Sequence, residues 1–168
     1  MATISLIAAI DMNNAIGYKN KLLFKNKEDM QWFKEHTLNK ICIMGRSTYE
    51  SIGKPFKNRM NVILTKNKDY NLKLNNFISH NTLIKHDLHE ALKCFDDEDE
   101  IMIIGGESIY RQAFPYADRL YITKVHYRYD KADSYFPKFD ENNWQEKYFR
   151  DGKKGLIPYS FHIYERVK

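Results

Sequence analysis

The sequence predicts an α/β domain with a mixed β-sheet. Short apolar runs such as SLIAAI, ICIM and NVIL alternate with amphipathic stretches through most of the chain. Runs of this kind are typical of strands buried on both faces, and their alternation with helices is typical of parallel sheets. Near the C-terminus, two strand-like segments flank a turn with two glycines, which predicts an antiparallel hairpin. Together, these patterns predict a sheet in which the earlier strands are parallel and the C-terminal strands are antiparallel.

Length and composition limit the classes of protein to consider. With 168 residues, of which 43% are hydrophobic and 14% aromatic, we expect one domain spanning residues 1–168. No apolar stretch approaches the roughly 18 residues of a membrane helix, and the N-terminal MATISLIAAIDMNN has no basic leader. Cys42 and Cys94 are isolated, which indicates a reducing cytoplasm and neither a disulfide framework nor a metal cluster.

The net charge of +5 is compatible with several kinds of ligand. Nucleic-acid binding is disfavoured because the basic residues are scattered and mixed with 22 acidic ones. A modest positive field suits a small anionic ligand equally well, and an ordinary soluble surface explains it too.

The first elements can be assigned in chain order. Thr3 to Ile10 is predicted as a buried strand, followed by a turn and an irregular loop from Ala15 to Phe24. The apolar end of this loop makes it a candidate lid over a ligand. A helix is then expected up to His36, with Asn26 as its N-cap.

The middle of the chain alternates strands and helices. A strand over Lys40 to Met44 precedes a helix that ends at Gly53, and Ser47 and Glu50 match a capping box that opens it. The remaining predictions are a strand over 61–65, a short strand near Phe77, a helix over 87–95 capped by Asp87, a strand over 101–104, a helix from Glu107 that stops before Pro115, a strand over 119–129, and a hairpin of 143–151 and 158–167.

Two strand-to-helix corners could bind anions. Gly105 and Gly106 lie between an apolar strand and a helix N-terminus, where backbone N–H groups can face a phosphate. Taken alone, the pair is better explained by an ordinary tight turn, and no G-x-G-x-x-G fingerprint occurs in the chain. Arg46, Ser47 and Thr48 form a second such corner, where capping explains Ser47 but not the arginine.

Asp29 is the candidate chemical group. It lies four residues before Phe33, so the two side chains share a helix face. The carboxylate then either complements the helix dipole, which is the commoner case, or points into an apolar cleft beside an aromatic ring. In the second case, desolvation would perturb its pKa.

Taken together and in order, these segments resemble the dihydrofolate reductase family. The resemblance runs from Ile4 to the C-terminus and is carried by ISLIAAI, AIG, EDMQWFKEHT, IMGRSTYESIG, Arg59, NVILT, IMIIGGESIY, LYIT and YFP. It implies three layers, with four helices flanking an eight-stranded, mostly parallel mixed sheet that ends in an antiparallel hairpin. It also implies NADPH-dependent reduction of 7,8-dihydrofolate to 5,6,7,8-tetrahydrofolate in the cytoplasm. The expected partners are this substrate and antifolate inhibitors, with neither nucleic acid nor membrane, and the expected state is a monomer.

The resemblance also assigns roles to residues. Asp29 is expected to accept hydrogen bonds from the pterin ring and to support protonation of N5, while Thr123 orients it and Arg59 pairs with the substrate α-carboxylate. The full substrate set is Ile7, Leu22, Asp29, Met30, Phe33, Lys34, Ile52, Lys54, Arg59, Ile104 and Thr123. The cofactor set is Ala9, Ala15, Ile16, Gly17, Asn20, Lys21, Gly45, Arg46, Ser47, Thr48, Leu64, Thr65, Lys66, Gly105, Gly106, Glu107, Ser108, Ile109 and Tyr110. No metal site is expected, and the bond between the two corner glycines is expected to be cis.

The chain departs from the family pattern in the predicted lid. Leu23 and Phe24 stand where the family usually has Pro-Trp, so an indole N–H that commonly holds a water near the substrate is absent. We expect a more mobile lid with activity retained.

Three other functions are weighed against this one. A riboflavin-pathway reductase shares the fold and NADPH but would lack the Asp29–Phe33 pair and Arg59. A basic nucleic-acid-binding module would explain the charge but neither anion corner. A catalytically impaired homologue that only binds folate and NADPH is the third, motivated by the changed lid.

Overall fold

The structure is a computed structural model that describes residues 1–70 and 81–168. Its strands are β1 Thr3–Ile10, β2 Ala15–Tyr18, β3 Lys21–Leu22, β4 Ile41–Gly45, β5 Met60–Leu64, β6 Thr82–Lys85, β7 Glu100–Ile103, β8 Arg119–Val125, β9 Ser134–Tyr135, β10 Trp144–Asp151 and β11 Tyr159–Arg166. Its α-helices are α1 Lys27–Thr37, α2 Arg46–Ile52, α3 Leu88–Cys94 and α4 Glu107–Ala113, with short 3-10 turns at Phe114–Tyr116 and Glu141–Asn143. No helix in these ranges has the length and apolar character needed to cross a bilayer.

Within the described residues, eight strands form one mixed sheet in the order β10-β11-β8-β1-β7-β4-β5-β6. The pairs from β8 through β1, β7, β4 and β5 to β6 are parallel. β11 runs antiparallel to both β8 and β10. The mostly parallel sheet with an antiparallel C-terminal hairpin is therefore confirmed.

Successive side chains of the central strands point to opposite faces of the sheet, and this divides the core into two layers. Leu6 and Ile103 belong to the cluster on one face of the sheet, and Ile7 and Met102 to the cluster on the other. α3 and α4 contribute buried residues to the first cluster, and α1 and α2 to the second. The three-layer arrangement follows, with both sheet faces covered as a parallel sheet requires.

Two helix starts are confirmed with their caps. The Asn26 side-chain oxygen accepts from the N–H groups of Glu28 at 2.8 Å and Asp29 at 3.1 Å. The Asp87 carboxylate accepts from the N–H of Glu90 at 2.7 Å. Each cap satisfies N–H groups that the first helical turn leaves unpaired.

The capping-box prediction for α2 is wrong. The helix begins at Arg46 directly after β4, with Gly45 as its N-cap and no side-chain cap bond. Ser47 is therefore already inside the helix, and Glu50 instead accepts from Arg46 at 3.2 Å across one helical turn. The helix does end at Gly53, which adopts the left-handed conformation at φ 89°.

Two further expectations differ from the structure, and one strand was not expected. The segment expected as an irregular loop forms β2 and β3, because β9, more than a hundred residues later, pairs with β2. The strand expected to reach Tyr129 ends at Val125, since beyond it the backbone bonds to the β1–β2 turn, with Tyr129 N–H donating to Asp11. β6 was not predicted, and the strand expected near Phe77 lies outside the described residues.

The turn between β10 and β11 closes tightly over an aromatic ring. Gly152 N–H donates to the Tyr159 carbonyl at 2.8 Å. A Cβ added at Gly152 would lie 2.0 Å from the Tyr159 ring. A glycine is needed here because the ring occupies the space of any side chain.

Gly152→Ala is expected to destabilise the protein by about 1–3 kcal/mol, the usual cost of overpacking. The midpoint of urea unfolding measures the change. Gly53→Ala is the matched control, because Gly53 has a positive φ but nothing within 4 Å of an added Cβ. It should cost only the backbone penalty of about 1–2 kcal/mol, and a neutral Gly152→Ala would contradict the steric assignment.

Candidate active site

The predicted site residues converge at the carboxyl ends of the parallel strands. Gly45, at the end of β4, donates its N–H to the carbonyl of Gly105 at 2.8 Å, which joins the ends of β4 and β7. On the other side of β7, Ala9 near the end of β1 is in register with Thr123 on β8. Crevices outside the carboxyl ends of such strands are where α/β proteins bind ligands.

Asp29 faces this edge from the first turn of α1. Its carboxylate accepts a hydrogen bond at 2.6 Å from the hydroxyl of Thr123, which lies 94 positions later in the chain. Burial raises the pKa of Asp29 to about 6, although the bond from Thr123 opposes the shift. The structure therefore favours the second interpretation, in which desolvation perturbs the pKa of Asp29.

The raised pKa has a consequence for stability. The pKa of Asp29 in the folded state, about 6, lies above the unfolded value of 3.8. The protonated carboxyl group therefore contributes fully to the stability of the folded state below pH 3.8, and this contribution is lost as the pH rises through about 6. Asp29→Asn is therefore expected to stabilise the protein at pH 7.5 by up to about 3 kcal/mol. Urea unfolding of both proteins should show this gain disappearing towards pH 4, and a gain of equal size at both pH values would contradict it.

An aromatic path leads from α1 to Arg59. The rings of Phe33 and Phe56 lie 5.5 Å apart, and the Arg59 guanidinium lies 5.2 Å from the Phe56 ring. Arg59 is only 9% exposed; its Nε donates to Thr37 and its Nη1 to the Lys57 carbonyl. Burial lowers the pKa of Arg59, and none of the ion pairs found in residues 1–70 and 81–168 involves it. A buried guanidinium without a carboxylate partner suits an anionic ligand.

The glycine corner has no room for side chains. The Gly105–Gly106 bond is cis, as expected. A Cβ at Gly106 would lie 3.1 Å from the Thr48 hydroxyl, and one at Gly105 would lie 3.0 Å from the Tyr110 ring. The Tyr110 hydroxyl in turn donates to the Ile7 carbonyl at 2.6 Å, so the corner is held against β1. Glycine is therefore favoured at both positions by the close packing of Thr48 and Tyr110.

The second anion corner has exposed basic groups beside a buried hydroxyl. Gly45 and Leu64 are in register, so Arg46 and Thr65 leave neighbouring strands side by side. Arg46 is exposed, and its guanidinium lies 5.9 Å from the Tyr70 ring. The Thr65 carbonyl is bonded to His86 Nδ1 at 2.9 Å. This corner can receive a phosphate at the protein surface.

The predicted lid reaches α2. Asn20 donates from its side chain to the Ser47 carbonyl at 3.2 Å, and its own carbonyl accepts from Ser51 at 2.7 Å. The predicted lid is therefore attached to α2 by two hydrogen bonds.

Three predicted wall residues are apolar yet exposed. Leu22 is 69% exposed, Met30 67% and Ile52 36%. They come from the lid, α1 and α2, and their exposure leaves them accessible to a ligand. The remaining predicted residues divide into buried ones (Ile7, Ala15, Ile16, Gly17, Leu64, Thr65, Ile104, Gly105, Ile109 and Tyr110), partly buried ones (Ala9, Phe33, Gly45, Thr48, Gly106 and Glu107) and exposed ones (Asn20, Lys21, Lys34, Ser47, Lys54, Lys66 and Ser108).

Two predicted cofactor residues have their side chains engaged elsewhere. The Ile109 side chain packs beneath Gly45, and the Glu107 carboxylate accepts from the Tyr135 N–H at 2.9 Å. Only their backbone groups remain for a ligand at the corner. The sequence analysis missed Phe56, an isolated aromatic in a loop with no motif around it. Within the described residues, no group of three or more His, Cys, Asp or Glu side chains could hold a metal ion.

Comparison with known proteins identifies the family. The family model for dihydrofolate reductase matches residues 3–166. The dihydrofolate reductase of Staphylococcus haemolyticus is 34% identical over 98% of this chain and 96% of its own length, and that of Bacillus subtilis is 37% identical over 97% and 94%. The chain belongs to the dihydrofolate reductase family.

A solved dihydrofolate reductase has the same architecture. The Enterococcus faecalis enzyme, complexed with NADP(H) and RAB-propyl, matches 99% of this chain and 97% of its own with a TM-score of 0.86 and 28% identity. The dihydrofolate reductase fold predicted from the ordered motifs is thereby confirmed.

Proposed function

We propose that this chain reduces 7,8-dihydrofolate to 5,6,7,8-tetrahydrofolate with NADPH, and that Asp29 is its catalytic acid. The observation that carries the proposal is a partly buried carboxylate with a raised pKa, held by Thr123 at the carboxyl edge of the sheet. Membership in the dihydrofolate reductase family supplies the reaction. Reduced folates of this kind serve one-carbon and thymidylate metabolism.

Asp29 orients the pterin ring. One carboxylate oxygen already accepts from Thr123, and the carboxylate has further lone pairs for the ring N3 and the 2-amino group. These bonds would fix the face of the ring that meets the reductant. The apolar walls are assigned to Ile7, Leu22, Met30, Phe33, Ile52 and Ile104, which exclude water from the reacting atoms.

Arg59 binds the other end of the substrate. Its planar guanidinium can pair bidentately with the α-carboxylate, while Phe33 and Phe56 lie between it and Asp29 along the aromatic path. Lys34 and Lys54 are exposed and add positive charge near this end.

The residues at the two corners fit NADPH. The glycine corner carries no side chains and ends at the N-cap of α4, where backbone N–H groups can face a pyrophosphate. Ala9 and Ile16 are assigned to the nicotinamide amide. The residues assigned to the adenosine-phosphate side are Arg46, Ser47, Thr48, Thr65 and Lys66, with Arg46 and Thr65 nearest the 2′-phosphate. The other residues assigned to the cofactor are Ala15, Gly17, Asn20, Lys21, Gly45, Leu64, Glu107, Ser108, Ile109 and Tyr110. When bound, NADPH supplies the hydride that is transferred to C6 of the pterin.

The protein itself contributes alignment and a proton. Holding the two rings in contact converts a bimolecular step into an effectively unimolecular one. Asp29, with its pKa near 6, is partly protonated close to neutral pH and can support protonation of N5 through water.

We further propose a single-domain monomer in the cytoplasm. Both cysteines are free, which supports a reducing compartment. The partners are then small molecules, the substrate and antifolate inhibitors, with neither nucleic acid nor membrane.

Steady-state oxidation of NADPH in the presence of dihydrofolate tests the proposal. Turnover with dihydrofolate, and none with the pyrimidine substrate of riboflavin synthesis, is the expected result. Binding of both ligands without turnover would instead indicate an impaired homologue, and turnover of the pyrimidine alone would indicate the riboflavin-pathway enzyme.

A further inference from the structure

Glu28, the neighbour of Asp29, is bound by four groups from the C-terminal hairpin. Its carboxylate accepts from the Tyr159 hydroxyl at 2.5 Å, from Arg150 Nη1 at 2.5 Å, and from the backbone N–H groups of Lys153 at 2.9 Å and Lys154 at 3.3 Å. These partners lie more than 120 residues later in the chain. A helix-dipole role alone requires none of them.

The carboxylate of Glu28 stays ionised in this setting. Burial raises the pKa of Glu28, but the hydrogen bonds from Tyr159, Lys153, Arg150 and Lys154 outweigh it and lower the pKa to about 2. Charge-assisted hydrogen bonds to an ionised acceptor are the stronger class. Glu28 is therefore a fixed attachment at the pH where the enzyme works.

The same hairpin holds the end of the lid. The Phe24 ring, 8% exposed, packs against the Tyr159 ring with centroids 5.2 Å apart. Tyr159 can lie here because Gly152 leaves space for its ring. Asn26, between the lid and α1, caps the helix and donates to the Lys154 carbonyl at 3.0 Å. One turn of the hairpin thus contacts the lid end, the helix cap and the first helical turn.

We propose that Glu28 is a positioning residue that fixes Asp29 and the lid end over the substrate by attaching them to Tyr159 and the β10–β11 turn. This inference rests on the proposed function. In this arrangement the distant hairpin aligns Asp29, and Phe24 anchors the lid.

Glu28→Gln tests the attachment because it keeps the side-chain size and removes the charge that binds Arg150. We expect kcat/KM for dihydrofolate to fall about tenfold, since small misplacements of reacting groups cost rate steeply. The KM for NADPH should stay unchanged. Tyr159→Phe, which keeps the ring against Phe24, should lower kcat/KM in the same direction, and the double variant should lose less than the product of the two single losses.

Glu100→Gln is the matched control. Glu100 begins β7, at the end of that strand far from the site. It accepts hydrogen bonds from Ser5, Tyr121, Arg119 and Lys40. Its loss should lower the urea midpoint comparably but leave kcat/KM within twofold.

Two results would overturn the inference while leaving the reductase activity established: unchanged kinetics in both Glu28→Gln and Tyr159→Phe, or an equal loss in Glu100→Gln. If Glu28→Gln does not fold, Tyr159→Phe decides alone. A wild-type chain without turnover would refute the proposed function and this inference with it.

Discussion

Asp29→Asn is expected to lower kcat at neutral pH by about 10²- to 10⁴-fold, the usual contribution of a positioned acid–base group. The amide keeps the size of the side chain and can still meet the Thr123 hydroxyl. It loses the ability to gain and give a proton, and it offers one acceptor to the pterin where the carboxylate offers two. The measurement is steady-state reduction at saturating dihydrofolate and NADPH.

The pH profile separates this loss from general damage. In the wild type, reduction consumes a proton, so kcat/KM should decline as the pH rises above about 6, the pKa of Asp29. In Asp29→Asn this inflexion should be missing, and the dissociation constant of NADPH should be nearly that of the wild type. Equal weakening of NADPH binding and turnover would count against the role given to Asp29.

Arg59→Leu is expected to raise the KM for dihydrofolate by roughly 10²-fold, because truncating one partner of a buried charge pair costs about 2–5 kcal/mol. The guanidinium is buried, and among the described residues its hydrogen bonds come from Nε and Nη1. An incoming carboxylate would therefore compensate a charge that the fold has already removed from water.

The substrate itself supplies the control for Arg59. A dihydropterin that lacks the glutamyl carboxylates should be reduced with the same kcat/KM by the wild type and by Arg59→Leu. Arg59→Lys should lie between them for dihydrofolate, since an ammonium keeps the charge without the bidentate geometry. A loss of equal size for the truncated substrate would indicate damage to the pocket as a whole.

The sequence predicts best the elements whose signals are local. α1 and α3 begin where Asn26 and Asp87 predicted, since a cap acts on N–H groups two or three residues away. The buried central strands are confirmed, because a sheet that is covered on both faces requires apolar residues along the whole of each strand. The capping box at Ser47 failed because the end of β4 fixes where α2 begins.

What the sequence could not supply is pairing over long range. β2 and β9 are four and two residues long, too short for a pattern, and they find each other across more than a hundred positions. The site shows the same limit. Asp29 could be proposed as the acid from its helix face and family motif. Its environment could not, since the carboxylates of Glu28 and Asp29 differ in pKa through partners that no local pattern reveals. Whether the lid is more mobile stays a prediction.

The position of β11 inside the sheet governs when the enzyme can become active during synthesis. β8, which carries Thr123, lies between β1 and β11. A nascent chain that has emerged only as far as β8 lacks one of the two neighbours of that strand and every hairpin contact to Glu28. Thr123 therefore has its complete sheet environment, and Glu28 its hairpin contacts, only once β11 has joined β8. Shortened chains that stop before β11 should be substrates for proteases.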